Sequence, residues 1–234
     1  MSRLGTLKEK LSDYLLLVRN RNKPYISYYR DVMRRDTLKN PIRAVGMVAD
    51  DIGERQLGRL KKHGLLPQHT LFDFGCGRLR GGVAIIRYLD ASNYFGNDIS
   101  PEILAYAREI IEADPALYIK NPRLYLTDDL SFKEVAGKTF DYVHAQSVLS
   151  HMPPEDISEL FKNVRHILRP ESKFIASYFP SKTGAIYPRN QQRDFHYPFS
   201  WFVETGKKYG LTVEPIDDLP GYKAKQPLML VKTL

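Results

Sequence analysis

The sequence predicts an α/β fold: a doubly wound, mostly parallel seven-stranded sheet with an antiparallel C-terminal strand, plus N-terminal helices. Three observations predict it. Short apolar runs alternate with helical stretches from about Leu66 onward. The stretches ahead of that point carry apolar residues at the three- and four-residue spacings of helices, and a glycine-rich turn directly follows the first apolar run, in "TLFDFGCGRLRGG" from Thr70 to Gly82. Alternation of this kind joins parallel strands by right-handed crossovers, with helices on both faces.

Ahead of that region, "LSDYLLLV", "ISYYRDVMR" and "VADDIGERQLGRLKKHGLL" read as helices, the last closing at Gly64 with basic residues in its final turn. Residues 1–65 are thus expected to form a helical cap on a core domain of residues 66–234. Within the core, "TLFDFG" is a strand, "GGVAIIRYLD" a helix and "NYFGND" a strand. The helix "SPEILAYAREIIEA" has Ser100 as its cap, Pro101 at its first position and Glu102 in its first turn. The strands "RLYLTDD" and "FDYVHAQSVL", the helix "PEDISELFKNVRHIL" and the strand "SKFIASYFP" follow. From Pro180 to Pro198 the chain is polar and aromatic without clear periodicity, a length that marks a functional or partly mobile connection. The helix "FSWFVETGKKYG" leads to the strands "LTVEPI" and "QPLMLVKTL", joined through "LPGYK" and expected to pair antiparallel.

Composition limits the function classes. At 234 residues and 43% hydrophobic, the chain supports one sizeable core. The single cysteine, Cys76, excludes an internal disulfide and fits a reducing, cytoplasmic setting. The N-terminal patch "YLLLV" is too short for a membrane span and no small-residue cleavage signal accompanies it. A net charge of +8 suits an anionic partner such as nucleic acid, phospholipid head groups or a phosphorylated substrate. The bases are dispersed, however, which favours a solvated surface over a nucleic-acid site. No His/Asp/Glu cluster has metal-ligand spacing, so no metal is expected, and no feature sets an oligomeric state.

The glycine turn carries the first functional signal. In a doubly wound sheet, ligands sit at the carboxyl ends of the central strands, where a bare backbone lets them approach. Asp98 closes the next strand at roughly the 20-residue distance where such sheets place an acid for ribose hydroxyls. Turn and acid together imply a nucleoside ligand. Arg80 stands where a dinucleotide fingerprint needs its third glycine, and no Gly-Lys-Ser/Thr follows, so neither dinucleotide nor Walker binding fits.

With its "DFGCG" turn, the sequence resembles the class I S-adenosylmethionine-dependent methyltransferases over most of the chain from about Leu66 to Leu234. The resemblance implies S-adenosylmethionine as cofactor. It sets Asp73, Gly75, Cys76 and Gly77 against the methionine and ribose parts, Asp98 on the ribose hydroxyls and Ile99 on the adenine. Either Asp128 or Asp129 would face the adenine amino group, Asp128 being slightly favoured. "TFDYVHAQSVLSHMP" is similar to the family's fourth-strand segment, which assigns His144, Ala145 and Gln146 to the cofactor wall and puts His151 near the methyl group. A narrower likeness, through "LRGG", is to bacterial enzymes that modify saccharides or secondary metabolites, with Arg78 in place of a small residue.

Methyl transfer is an in-line displacement, so positioning supplies much of the acceleration. A hydroxyl nucleophile also benefits from a base, and a histidine with an ordinary pKa of about 6.5 provides one near neutral pH. His151 is the first candidate and His196 the second. For both, a bland alternative exists: His151 at a helix entrance, His196 in the unplaced segment. That segment also offers Tyr187, Arg189, Arg193, Tyr197 and Trp201 for a small-molecule methyl acceptor, unless Tyr197 and Trp201 only staple the following helix. "NKPYISYYRDVMRR" is either a lid over the pocket or a helix on the sheet edge. The expected activity is O-methylation of a saccharide or secondary metabolite. The alternatives are transfer to nucleic acid or protein, or a cofactor-binding scaffold without catalysis.

Overall fold

The computed structural model describes residues 3–40, 51–190, 192–219 and 226–234. Two helices, α1 (Arg3–Asn20) and α2 (Tyr25–Lys39), precede α3 (Ile52–Lys62), β1 (Leu71–Phe74), α4 (Gly82–Tyr88) and β2 (Tyr94–Asp98). Then come α5 (Pro101–Ala113), α6 (Pro115–Tyr118), β3 (Arg123–Leu126), β4 (Phe140–Ala145), α7 (Pro154–Val164) and β5 (Leu168–Ser177). Short strands β6 (Phe179–Pro180), β7 (Tyr187–Arg189) and β8 (Asp194–Tyr197) lead to α8 (Phe199–Lys208), β9 (Leu211–Ile216) and β10 (Leu228–Thr233).

Seven strands form one sheet in the order β3-β2-β1-β4-β5-β10-β9. Strands β1 to β5 pair parallel, and β10 is antiparallel to both β5 and β9. This is the doubly wound sheet that the alternation predicts. Side chains two residues apart share a face, and the strands sort accordingly. Phe72, Phe95, Val143, Phe174 and Met229 join Phe161 of α7 and Phe202 of α8 in one core. Their neighbours Leu71, Tyr94, Tyr142, Ile175 and Leu230 join Leu60 of α3, Ile85 of α4 and Leu104 of α5 in the other.

Local signals explain most boundaries. Ser100 Oγ accepts from the Ile103 N–H at 3.2 Å, with Pro101 at the first helical position, as the cap pattern predicts. Gly64, at φ +94°, ends the α3 segment. The predicted start of that helix at residues 48–50, like most of the "LPGYK" connection, lies outside the described residues. β4 stops at Ala145, short of the predicted "QSVL", because Ser147 takes φ +57° and turns the chain out of the sheet. β5 begins four residues before the predicted Ser172. The Ser172 hydroxyl, buried at a β-bulge, donates to the Phe140 carbonyl at 2.5 Å and accepts from the Arg169 N–H at 2.7 Å. The unplaced segment after β5 forms a second sheet, β6-β8-β7.

On the central strand, the Asp73 carboxylate is buried but fully engaged. One oxygen accepts from Tyr94 Oη at 2.6 Å, the other from His144 Nδ1–H at 3.1 Å, so the acid ties β1 to both neighbours. Burial beside this carboxylate pushes the Tyr94 phenol well above its ordinary value, which keeps it a donor. Tyr94→Phe leaves a buried carboxylate oxygen without its donor and is expected to lower stability by about 1–3 kcal/mol, read from the urea midpoint at unchanged slope.

Candidate active site

The strand order reverses between β1 and β4, and a cavity of about 690 Å³ opens at their carboxyl ends, where open α/β sheets hold ligands. One wall is the glycine turn after β1. Gly75 has φ +73°, and a Cβ there would lie 2.6 Å from Val148 Cγ2 after β4, so any side chain would push the two loops apart. Gly81 and Gly82 serve packing instead: a Cβ would lie 1.8 Å from Gln56 Oε1 and 2.6 Å from Tyr94 Oη respectively. Cys76 packs on Gly96 with its thiol pKa raised by burial, and the cavity reaches its edge.

Three successive N–H groups of this turn are already committed. Gly75 donates to Asn97 Oδ1 at 3.2 Å, Cys76 to the Asn97 carbonyl at 2.9 Å and Gly77 to Asp98 Oδ2 at 3.0 Å. A phosphate cradle needs such donors free, so the turn is not one. Asn97, which sequence reading passed over, holds the arrangement with its own Nδ2 on Glu134 Oε1 at 2.8 Å.

Asp98 lines the cavity, its second oxygen accepting from the Ser100 N–H at 2.9 Å. Burial pushes its carboxyl up to about 6 against the lowering effect of those N–H donors. A carboxylate offers about four acceptor positions, so Asp98 retains capacity for ligand hydroxyls. Ile99 and Gln146 also line the cavity. After β3 the wall is Thr127, Asp129 and Leu130, so Asp129 rather than the favoured Asp128 is at the cavity. Bonds from Lys133 and Ser131 hold Asp129 down at about 2. His144 and Ala145, expected at the cofactor wall, are buried in the sheet, 3% and 0% exposed, and do not line the cavity.

The opposite wall comes from Tyr25, Ile26, Tyr29 and Met33 of α2, which therefore acts as a lid. His151 sits between this helix and the second sheet. Its ring stacks on Tyr29 at 5.5 Å, and its Nδ1 lies 2.8 Å from the Arg193 carbonyl and 3.1 Å from Asp194 Oδ1. Both partners are acceptors, so Nδ1 carries the proton and Nε2 is the basic nitrogen. Burial raises the Asp194 carboxyl, but bonds from His151 and Asn190 and the Arg193 charge outweigh it and leave it below the ordinary value. The Arg193 guanidinium is engaged by acids of the N-terminal helices. It pairs with Asp36 at 2.7 Å and Asp13 at 3.5 Å, and Arg35 binds the same two acids. This network of charges ties α1 and α2 to the β7–β8 hairpin.

Residues 72–174 match the family model described as "Methyltransferase domain". That segment carries the methyltransferase-domain pattern. Solved structures with the same fold include magnesium protoporphyrin IX methyltransferase from Synechocystis with bound S-adenosylmethionine, 16% identical, with a TM-score of 0.67 over 91% of this chain and 98% of that one. The glycopeptide N-methyltransferase MtfA is 15% identical over 78% and 93% of the two chains, with a TM-score of 0.62. An S-adenosylmethionine-dependent methyltransferase from Clostridium acetobutylicum is 14% identical over 86% and 98%, also at 0.62. The fold is that of the class I S-adenosylmethionine-dependent methyltransferases.

Several expected acceptor-site residues have other work. Tyr197 is fully buried and donates its hydroxyl to the Met152 carbonyl at 2.5 Å. Trp201 packs on Tyr197 at 5.0 Å, so the pair staples α8 to the core. His196 is stacked between Phe179 and Tyr187, its Nδ1 on the Pro180 carbonyl, outside the cavity wall. Tyr187 and Arg189 are likewise absent from that wall, while Arg193 reaches it with its guanidinium engaged. Arg78 and Arg80 both line the cavity, and burial lowers the Arg80 pKa. Asp156, in the first turn of α7, completes the wall; burial and the charges of Glu155 and Glu159 push it up to about 6. Sequence reading missed Asp194 and Tyr29, whose contacts to His151 join segments far apart in the chain.

Arg193→Met strands Asp36 and Asp13 with one cation between them. It is expected to lower stability by on the order of 3 kcal/mol and to speed proteolytic cleavage of the α1–α2 segment, read by denaturant midpoint and limited proteolysis.

Proposed function

We propose that this enzyme moves a methyl group from S-adenosylmethionine to an oxygen nucleophile of a small molecule, a saccharide or related secondary metabolite, with His151 as general base. The observation that carries this reading is the fixed tautomer of His151 on the wall opposite the glycine turn: two acceptors hold Nδ1–H, and Nε2 keeps its lone pair. Two features suit the cofactor. The turn has spent its N–H groups and so is not shaped for phosphate, and Asp98 keeps acceptor positions for hydroxyls.

When bound, S-adenosylmethionine supplies an electrophilic sulfonium methyl group. Asp98 would receive the ribose hydroxyls, Ile99 would pack on the adenine and Asp129 would take its amino group. Gly75, Cys76, Gly77 and Gln146 would wall the methionine part. On the acceptor side, Tyr25 and Tyr29 offer flat faces that suit a sugar or aromatic ring, and Asp156 can bond a hydroxyl. His151 takes the acceptor proton at Nε2 while Asp194 stabilises the resulting imidazolium. Such a base contributes on the order of 10² to 10⁴ in rate. A lidded cavity of about 690 Å³ suits a small acceptor better than a nucleic acid or protein chain.

Calorimetric titration is expected to show binding of both S-adenosylmethionine and its demethylated product; no binding of either overturns the cofactor assignment. Because the Asp98 carboxyl stands at about 6, affinity is expected to fall as pH drops through that value, approaching tenfold per unit below it. Asp98→Asn should weaken binding at pH 8 and flatten that dependence. The acceptor is sought by methyl transfer from labelled cofactor into a fractionated extract, followed by identification of the labelled product. With that acceptor, His151→Ala should lower kcat by on the order of 10² to 10⁴ at unchanged cofactor affinity. Asp194→Asn should shift the acidic limb of the pH–rate profile; an unchanged rate in His151→Ala removes the base from the mechanism.

A further inference from the structure

α1 is inverted relative to an ordinary surface helix. Its polar residues Asp13 and Asn20 are buried, paired with Arg35 at 2.6 Å and Asp31 at 2.9 Å. Five of its apolar residues face water while Leu16 and Leu17 are half-buried: Leu7 is 68% exposed, Leu11 58%, Tyr14 60%, Leu15 58% and Val18 45%. These positions recur at the spacing that places them on one stripe. A continuous apolar stripe in water marks an interaction surface, unlike scattered single residues. Exposed Lys10 and Arg19 flank the stripe, with Arg21 and Lys23 just beyond the helix. Among the described residues, none of these four side chains makes a hydrogen bond or ion pair.

We propose that α1 seats the protein on an anionic lipid surface, its apolar stripe at the headgroup boundary and its flanking cations on the lipid phosphates. An apolar face bordered by Lys and Arg is the pattern of helices that lie in that interface, where a tyrosine such as Tyr14 also partitions. Charge selects this occupant over a second copy of the chain. Pairing two such stripes would oppose the same cations, on a protein whose net charge is already +8. None of the described helices is long and apolar enough to cross a membrane, so α1 lies on the surface. Lys10 and Asp13 also line the cavity, so seating α1 brings the lid to the lipid interface.

The test is co-sedimentation of the full chain with phosphatidylcholine vesicles, with and without about 30% phosphatidylglycerol. Strong partition onto the anionic vesicles is expected, weak partition onto the neutral ones, and loss of binding at high salt. The double variant Leu11→Ser/Leu15→Ser, exposed at both sites, should lose at least tenfold in partition with an unchanged circular dichroism spectrum and melting point. Arg19→Glu/Arg21→Glu should lose binding to anionic vesicles only. Absence of partition, or equal partition by the leucine variant, overturns the proposal. So does a dimeric mass in solution that becomes monomeric in the leucine variant, which would assign the stripe to a second copy.

Discussion

A single buried carboxylate organises the middle of this molecule. Asp73 sits on the central strand, almost wholly buried at the edge of the cavity, and it tolerates that position because Tyr94 and His144 donate to its two oxygens. Those donors come from the strands on either side, so the bonds fix the positions of β2 and β4 against β1 where the strand order reverses. Tyr94 can reach Asp73 only because Gly82 has no side chain in its path. The glycine turn, the acid before it and the strand after it therefore form one unit, and the cavity is what that unit leaves open.

The second constraint is electrostatic and lies on the opposite wall. Arg35 and Arg193 share Asp13 and Asp36, and each charge is stable in its half-buried place only while the others remain. The same hairpin that supplies Arg193 supplies the Arg193 carbonyl and Asp194, which orient His151. Tyr29 of the lid stacks on that ring. Lid position and histidine geometry are thus coupled through a few residues. A shift of α2 would disturb both the cavity wall and the imidazole.

Legibility followed the range of the interactions. The sheet and its crossovers were readable because burial on two faces writes short continuous apolar runs into strands, burial on one face writes a period of 3.6 into helices, and both patterns lie in neighbouring residues. Gly75, Gly77 and Asp98 were readable for a similar reason: turn geometry and a strand-end acid depend on local spacing. Tyr197 and Trp201 were less so. Their aromatic chemistry suits either a ligand or a core, and only packing against Phe202 and the Met152 carbonyl distinguishes them. The choice between Asp128 and Asp129 likewise depended on which way the loop after β3 faces.

The sequence by itself determined the doubly wound sheet, the glycine turn with the acid that closes the next strand and the exclusion of a phosphate loop. Each of these is set by residues close together in the chain. Tertiary structure alone decided that α2 is a lid, that His151 rather than His196 reaches the cavity, and that Asn97 and Asp194 hold the turn and the imidazole. It also decided that α1 buries Asp13 and Asn20 and leaves Leu7, Leu11 and Leu15 exposed. The physical reason is the same throughout: a hydrogen bond or ion pair between distant segments leaves no periodicity in the chain, because its partners are brought together only when the sheet, the lid and the hairpin close on one another.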